Sequence, residues 1–443
     1  MRGEEGRMGS LKQKYNCGLS TCYHIAVLCI NMIQFVKHQL SNGLRVIVHE
    51  DNSTPLAAVN LLYDVGSRDE SPDQTGFAHL FEHLMFGGSK NIEVFDVPLQ
   101  MAGGENNAFT STDITNYYET LPSQNLETAF WLESDRMNEL AFSEQSLEVQ
   151  RKVVVEEFKE HYINQPYGDV WHKLRELAYT THPYRWPTIG IKPEHIEQAQ
   201  LDDVRNFFFS HYRPNHAILV VSGNVKADEV FHLAEEYFGD IPAGVNGQRR
   251  LPAEPLQTET RTSTVYADVP LNAIYKAWHF PARTESSYYA SDLISDILSG
   301  GKSGRLYQSL VKEQKLFSEI NCYQTGSLDP GLLVVEGKLL PGIAMEPAEQ
   351  AIEKELEKIK SQQVEEHELN KVKNRIESQM TFSEAEILNK AMNLAFAELL
   401  GDASLINREI TKYLAVTADE VKEQAIRILK PTNCSTLYYL ASH

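Results

Sequence analysis

The sequence is short of cysteine, of basic charge and of long apolar runs. Only five of its 443 residues are cysteine, and 41 lysines and arginines stand against 61 aspartates and glutamates, which gives a formal net charge of −20. Binding to nucleic acid requires clustered cations, so this deficit argues against nucleic acid as the main partner. The apolar run from Tyr23 to Ile33 is too short to cross a bilayer, and we expect no membrane span. Cys322 and Cys434 lie far apart in the chain and suit a reducing compartment, which favours a cytoplasmic protein.

The first 31 residues differ from the rest of the chain. They contain three of the cysteines, without the partnering Cys/His set that a zinc site would require. Two lysines precede the apolar run, as in a weak signal peptide, but no Ala-x-Ala-like cleavage site follows. A functional signal would instead indicate the periplasm. We expect residues 1–31 to be a disordered or artefactual extension, with the folded chain starting near Met32.

Five consecutive residues at 79–83, His-Leu-Phe-Glu-His, carry the clearest chemical signal. On a helix, the imidazoles of His79 and His83 lie at i and i+4 on one face, where both can bind one metal ion. Glu82 then lies near the metal without having to bind it, which suits a general base acting on water. The order His-x-x-Glu-His is the inverzincin pattern, so these three residues are predicted to form a hydrolytic metal site.

The surroundings of this motif predict the helix that it needs. Apolar residues recur at helical spacing between Phe77 and Leu84. Asp73 lies in the expected N-cap region, and Gly87-Gly88 should end the helix. A half-buried helix would give a metal site the rigid support that it requires.

Two histidines leave a zinc ion short of a third protein ligand, because open catalytic sites have three ligands plus water. The best candidates lie at the end of a long helical run that starts at Ser143. Spacing alone does not choose among Glu156, Glu157 and Glu160. His161 lies four residues after Glu157, so a second local pair is also open.

Seven short segments resemble the pitrilysin/insulinase family, in its branch of short, processing-peptidase-like proteins. They occur in the family's order, between about residue 33 and the C-terminus, at 42–46, 65–70, 79–83, 107–111, 155–157, 165–168 and 212–215. The resemblance implies a zinc endopeptidase with one Zn²⁺ per chain and with Glu157 as the third ligand. It also implies a supporting role for Gln150, where the family usually has a glutamate. An amide can still donate a hydrogen bond, but it lends no negative charge, so zinc affinity is expected to be lower than is usual for the family.

An internal duplication predicts the architecture. Residues 80–88 have a degenerate echo at 293–301, an offset of 213, and a proline followed by a strand recurs at an offset of 217. We expect an α+β fold with two homologous domains, each a mostly antiparallel sheet covered by helices. The predicted boundaries are 32–240 for an N-terminal zinc-binding peptidase domain, 241–258 for a linker and 259–443 for a C-terminal homologous domain. In the second copy the three motif positions become Asp292, Ser295 and Asp296, so no metal site is expected there.

The segment 106–111, followed by 115–120, predicts a pair of strands. In the family that this chain resembles, the first of them is an exposed edge beside the zinc, and it accepts the substrate peptide as an added strand. The resemblance therefore implies that Asn107, Ala108 and Phe109 contact substrate.

One departure from the family concerns mechanism. Self-sufficient relatives carry an arginine and a tyrosine seven residues apart in the second half, and the corresponding positions here are Val311 and Ser318. Neither can donate a charged or phenolic hydrogen bond to a developing oxyanion. We therefore expect the catalytic subunit of a two-subunit enzyme that hydrolyses unfolded peptides or extended presequences. Its partner would be a homologous metal-free subunit that supplies the arginine and the tyrosine, in a heterodimer rather than a homodimer. The alternative is a non-catalytic scaffold or assembly subunit of the same fold.

Overall fold

The computed structural model describes residues 32–245 and 249–442, so the predicted extension at 1–31 lies outside the described residues. The expected fold class is confirmed, because each half combines helices with a mostly antiparallel sheet. Across the described ranges, none of the helices combines the length and the apolar character that a membrane crossing would need.

The first half of the chain forms a six-stranded sheet with the order β1-β2-β6-β3-β5-β4, in which β2 and β6 are parallel and the other neighbours antiparallel. The strands are β1 (Val36–Gln39), β2 (Arg45–Glu50), β3 (Leu56–Tyr63), β4 (Glu105–Thr110), β5 (Thr115–Pro122) and β6 (Ala217–Gly223). The helices are α1 (Phe77–Leu84), α2 (Asp96–Met101), α3 (Leu126–Asn138), α4 (Glu144–Phe158), α5 (Val170–Ala178), α6 (Glu194–Glu197), α7 (Leu201–His211) and α8 (Ala227–Phe238).

The second half forms a five-stranded sheet with the order β7-β11-β8-β10-β9. The strands are β7 (Arg261–Ala267), β8 (Ala273–Phe280), β9 (Phe317–Gln324), β10 (Gly331–Leu339) and β11 (Cys434–Ala441). The helices are α9 (Tyr288–Ser299), α10 (Met345–Ser361), α11 (Glu366–Ser383), α12 (Ile387–Leu399), α13 (Glu409–Ala415) and α14 (Ala418–Ile428).

The two sheets repeat one strand order. Without β1, the first sheet reads β2-β6-β3-β5-β4, which corresponds strand for strand to β7-β11-β8-β10-β9. The parallel pair also falls in the same place, between β2 and β6 in one sheet and between β7 and β11 in the other. The sequence echo between 80–88 and 293–301 coincides with α1 and α9, each of which is followed by Gly-Gly.

Each half places a helix on the outer face of the other half's sheet. Successive residues of β2 are buried on opposite faces, and the residue on its outer face, Ile47, belongs to one apolar cluster with Ala391 and Leu394 of α12. In the reverse direction, Leu174 of α5 clusters with Leu437 of β11. Since both faces of each sheet are covered, neither half buries its own sheet without the other.

The halves also meet through charged groups. The guanidinium of Arg68 is buried and lies 2.9 Å from the carboxylate of Asp113 and 3.4 Å from that of Asp329, in the β9–β10 turn. The backbone N–H of Leu328 in the same turn donates to Asp113 at 3.0 Å.

We propose domain boundaries at 32–240, 241–258 and 259–443, since α8 ends at Phe238 and β7 begins at Arg261.

The reciprocal packing predicts a stability effect across the two halves. Leu394→Ala is expected to lower the free energy of unfolding by about 2–5 kcal/mol, because Leu394 is fully buried against the first sheet and its loss leaves a cavity. Urea unfolding followed by far-ultraviolet circular dichroism measures the loss. Asn393→Ala, an exposed position on the same helix, is the control and should change stability by less than about 0.5 kcal/mol. A loss no larger in Leu394→Ala than in this control would contradict the packing.

Candidate metal centre

The predicted helix at 79–83 is confirmed as α1. One face of α1 is apolar and buried, and Phe81 stacks on Phe207 and Tyr212 with ring centroids 5.2 and 5.1 Å apart. The hydroxyl of Tyr117 in β5 donates to the Phe81 carbonyl at 3.2 Å. These contacts fix the rotation of the helix, so that His79 and His83 lie on its half-buried side.

The start of α1 is capped by a buried side chain that lies before the predicted cap in the sequence. The expectation that Asp73 lies in the N-cap region is wrong, because the N-cap is Gly76, with φ 90°, and Asp73 is exposed. The buried carboxylate of Glu70 accepts the backbone N–H groups of Gly76 and Ala78, both at 2.9 Å. The indole of Trp186 donates to the same carboxylate at 3.1 Å. Glu70 thus satisfies N–H groups that a local cap would otherwise serve.

Three potential metal ligands meet beside α1. The ring nitrogen Nε2 of His79 lies 3.7 Å from one carboxylate oxygen of Glu157, and Nε2 of His83 lies 3.4 Å from the other. Among residues 32–245 and 249–442, these three residues form the one group of three or more His, Cys, Asp or Glu whose ligand atoms all lie within 4.8 Å of one another.

The directions of the side chains at and after the end of α4 decide among the candidate acidic residues. The helix begins after the N-cap Ser143, as the sequence predicts, and carries Glu157 on its last turn toward α1. Glu156 is exposed and bonds Lys159 at 2.8 Å. Glu160 and His161 lie in the following π-helical turn, and both are exposed. The geometry therefore brings Glu157, and neither Glu156 nor Glu160, to the two histidines.

The cluster fits a tetrahedral zinc site. Bonds of about 2.1 Å from zinc to nitrogen and oxygen put neighbouring ligand atoms roughly 3.4 Å apart, close to the 3.4 and 3.7 Å observed. Burial lowers the pKa of His79, and a hydrogen bond from His83 lowers the pKa of Glu157. Both directions favour the neutral imidazole and the ionised carboxylate, which are the forms that bind a metal.

No hydrogen bond joins Gln150 to either imidazole in the described part of the chain. Its amide is near Gly87, where an added Cβ would stand 3.7 Å from Nε2 of Gln150. The Nδ1 atom of His79 is buried and has no hydrogen-bond partner in the described part of the chain. Metal-bound histidines usually donate a hydrogen bond from this second nitrogen. The structure does not show Gln150 as its acceptor, and a supporting role for Gln150 stays a prediction.

Glu82 has a partner that the sequence analysis did not assign. The hydroxyl of Thr110, the last residue of β4, donates to Oε2 of Glu82 at 2.6 Å. A residue-spacing argument cannot find this contact, because the two residues are 28 apart in the chain and meet only when β4 packs beside α1. The predicted base is therefore joined to the edge strand of the sheet.

The strand β4 is the edge of the first sheet and pairs with β5 alone among the strands described. Its residues alternate between exposed and half-buried, with Asn107 and Phe109 exposed and Ala108 half-buried against the core. The side chain of Asn107 accepts the backbone N–H of Ala108 at 2.8 Å. The outer edge of β4 is thus placed to pair with another strand.

The second half offers different chemistry at the corresponding positions. Asp292 accepts the hydroxyl of Tyr413 at 2.6 Å, and Asp296 lies 3.3 Å from the guanidinium of Arg375. Val311 is half-buried against the second core, and the exposed Ser318 donates to the Lys338 carbonyl at 3.0 Å.

The chain is similar to two known peptidase families and to relatives described as zinc proteases. The family described as "Insulinase (Peptidase family M16)" matches residues 45–190, and the one described as "Peptidase M16 inactive domain" matches residues 198–376. The zinc protease PqqE of Helicobacter pylori is 32% identical over 348 residues, covering 76% of this chain and 78% of that protein. The uncharacterized zinc protease YmxG of Bacillus subtilis is 25% identical over 305 residues, covering 68% and 73%.

Solved structures are similar over nearly the whole chain. The crystal structure of a protease from Helicobacter pylori has a TM-score of 0.86 and 28% identity, and the alignment covers 92% of this chain and 99% of that one. A peptidase M16 inactive domain from Pseudomonas fluorescens has a TM-score of 0.82 at 16% identity, covering 93% and 98%. At that identity the likeness concerns the fold.

The cap on α1 predicts a stability effect. Glu70→Gln is expected to lower the free energy of unfolding by about 1–3 kcal/mol, because the new NH2 group would face buried N–H donors that now bond a carboxylate. Urea denaturation measures the change. Asp73→Asn removes the same charge at the exposed position that the sequence had suggested as cap, and should change stability by less than about 0.5 kcal/mol. Equal losses in the two variants would contradict the assignment of Glu70 as the cap.

Proposed function

Because the chain belongs to the insulinase family of peptidases, M16, we propose that it is a zinc-dependent endopeptidase acting on unfolded peptides or extended presequences. The single observation that carries this proposal is the convergence of His79, His83 and Glu157 beside Glu82. Relatives described as zinc proteases support it. A structural role alone would not require two imidazoles and a carboxylate at the spacing of a tetrahedral metal site.

In the proposed mechanism His79, His83 and Glu157 would hold the ion. A bound zinc would polarise the scissile carbonyl and acidify a water molecule. Glu82 accepts a proton from the attacking water and passes it to the nitrogen of the leaving amine as the C–N bond breaks. The carbonyl carbon gains the oxygen of the water molecule. One proton of that water ends on the new amine, and the other stays with the new carboxyl group.

The edge strand β4 supports a mode of substrate binding. An extended peptide can add to the sheet beside β4 through backbone hydrogen bonds, which recognise main chain rather than sequence. Asn107, Ala108 and Phe109 would contact it, with the exposed ring of Phe109 offering an apolar surface. A folded substrate cannot present an unpaired strand, so the proposal restricts substrates to unfolded or extended segments.

We further propose that the active enzyme contains a second, homologous, metal-free subunit. Val311 and Ser318 leave this chain without a charged or phenolic donor at the two positions where self-sufficient members of the family have one. A partner with an arginine and a tyrosine at those positions would complete the site. The same two residues also favour the second candidate function, a scaffold or assembly subunit, so the two candidates need separate tests.

The general base is tested by Glu82→Gln. With the partner chain present, hydrolysis of an unstructured peptide should fall by about 10²–10⁴-fold, because the amide cannot accept the proton of the attacking water. Zinc content should remain one per chain. Glu156→Gln is the control, since Glu156 is exposed and bonds Lys159, and it should retain full activity. Undiminished activity in Glu82→Gln would disprove the assignment of the base.

The metal ligands are tested by His83→Ala against His161→Ala. Elemental analysis after dialysis should find far less zinc in the first variant, which loses one of the three converging ligands. His161 is exposed and outside that group, so its variant should bind zinc as the unaltered chain does. Equal zinc content in both variants would contradict the proposed site.

The two candidate functions differ in what a partner does. The zinc-loaded chain is assayed alone and together with a homologous chain that carries the arginine and the tyrosine. Hydrolysis that appears or rises on mixing supports the two-subunit peptidase. Full zinc content with no hydrolysis in either assay would favour the scaffold.

A further inference from the structure

We propose that Thr110 is a positioning residue that orients the carboxylate of Glu82 for its role as base. This inference rests on the proposed function for its catalytic consequence, but the contact itself is a feature of the fold. The hydroxyl donates to Oε2 of Glu82 at 2.6 Å, which is short for a neutral donor and typical of a bond to a carboxylate. The bond occupies one carboxylate oxygen and leaves Oε1 to accept a proton.

Thr110 is rigidly held. It pairs with Thr115 of β5, whose own hydroxyl donates to the Val65 carbonyl at 3.0 Å. The next residue, Ser111, begins a tight turn in which its side chain accepts the N–H groups of Asp113 and Ile114, at 3.1 and 3.0 Å. The donor therefore has little freedom, and a hydrogen bond to it restrains the longer glutamate side chain.

The same turn is fastened to the segment that caps α1. The backbone N–H of Ser67 donates to the Ser111 carbonyl at 3.2 Å, and that of Arg68 donates to the Thr112 carbonyl at 3.0 Å. Two residues further on, Glu70 caps the helix that carries Glu82. Donor and acceptor are thus mounted on one rigid unit, so their separation is set by the fold.

The direction of the Thr110 side chain indicates a role in positioning Glu82 rather than in binding substrate. Along β4 the exposed side chains are those of Glu105, Asn107 and Phe109, whereas Thr110 is on the half-buried face. A substrate strand that pairs with the edge of β4 meets the backbone and the exposed residues. The hydroxyl of Thr110 instead faces α1, so its loss should affect turnover rather than substrate affinity.

Three variants test the proposal. Thr110→Val keeps the shape and removes the hydroxyl, and Thr110→Ser keeps the hydroxyl. Thr112→Val is the matched control, because the Thr112 side chain makes no hydrogen bond to the site among the described residues and its backbone carbonyl remains for Arg68. With an unstructured peptide as substrate and the partner chain present, Thr110→Val should lower kcat about 10- to 100-fold, in line with the cost of a misplaced catalytic group. Its KM should stay within about twofold of the unaltered chain, and its zinc content at one per chain.

The serine variant decides between the hydroxyl and the methyl group. Thr110→Ser should recover kcat to within about threefold of the unaltered chain, and Thr112→Val should match it. An unchanged kcat in Thr110→Val, or equal impairment in Thr110→Ser and Thr110→Val, would overturn the proposal. A loss confined to KM would also overturn it, because that result would make Thr110 a substrate contact.

A second readout does not require activity. Crystal structures of the metal-free Thr110→Val protein and the unaltered chain should differ in the side-chain rotamer of Glu82. An identical carboxylate position in both would overturn the proposal even if kcat had fallen. If the unaltered zinc-loaded chain hydrolyses no peptide with or without a partner, the proposed function fails, and this comparison still decides whether Thr110 orients Glu82.

Discussion

Two buried ionisable side chains in one turn, Arg68 and Glu70, hold the candidate site together. Burying such a group is costly unless its polar atoms are paired or hydrogen-bonded, and each of these residues binds groups of other segments. Glu70 takes the first N–H groups of α1, and Arg68 takes the carboxylate of Asp113 beyond the end of β4. Close approach is possible because Gly66 has no Cβ, which would stand 2.5 Å from the Thr112 carbonyl. The helix that carries the predicted base and the strand that orients it are therefore fixed to the same few residues.

The two halves share one fold but carry different side chains at the positions of the candidate metal site. Both halves keep the strand order and the helix that is followed by Gly-Gly, yet the positions of His79 and His83 become Asp292 and Asp296. These aspartates are engaged within their own half, by Tyr413 and by Arg375. In the first half the imidazole Nε2 atoms instead face a carboxylate across a gap of the size that a zinc ion would fill. The second half contributes stability, through the helix that it packs against the first sheet.

Sequence reasoning reached the features that depend on local pattern and missed those that depend on contacts between distant segments. The helix at 79–83, the helix that starts after Ser143, and the two-domain α+β class all follow from periodicity, caps and an internal echo. Spacing favours Asp73 as the cap on α1, whereas the carboxylate that caps the helix is that of Glu70, which is buried and bonded to the distant Trp186. Spacing also could not choose among the acidic residues of α4, since the choice depends on how α4 crosses α1. For the same reason the bond from Thr110 to Glu82 leaves no trace in the sequence.

This chain carries the base and the metal ligands of the proposed reaction, but not the donors for the developing oxyanion. On the base side, Glu82 is aligned by Thr110 and lies beside a complete set of three ligands. At the two positions where an oxyanion donor is expected, Val311 packs against the second core, and the hydroxyl of Ser318 already donates to a backbone carbonyl. Donors aimed at the developing oxyanion contribute strongly to such catalysis, in addition to the polarisation that a bound zinc would supply. This is why we propose that another chain brings the missing donor to the rigidly mounted base. This asymmetry favours a shared site over a retired one, because a retired site gains nothing from holding its glutamate in place.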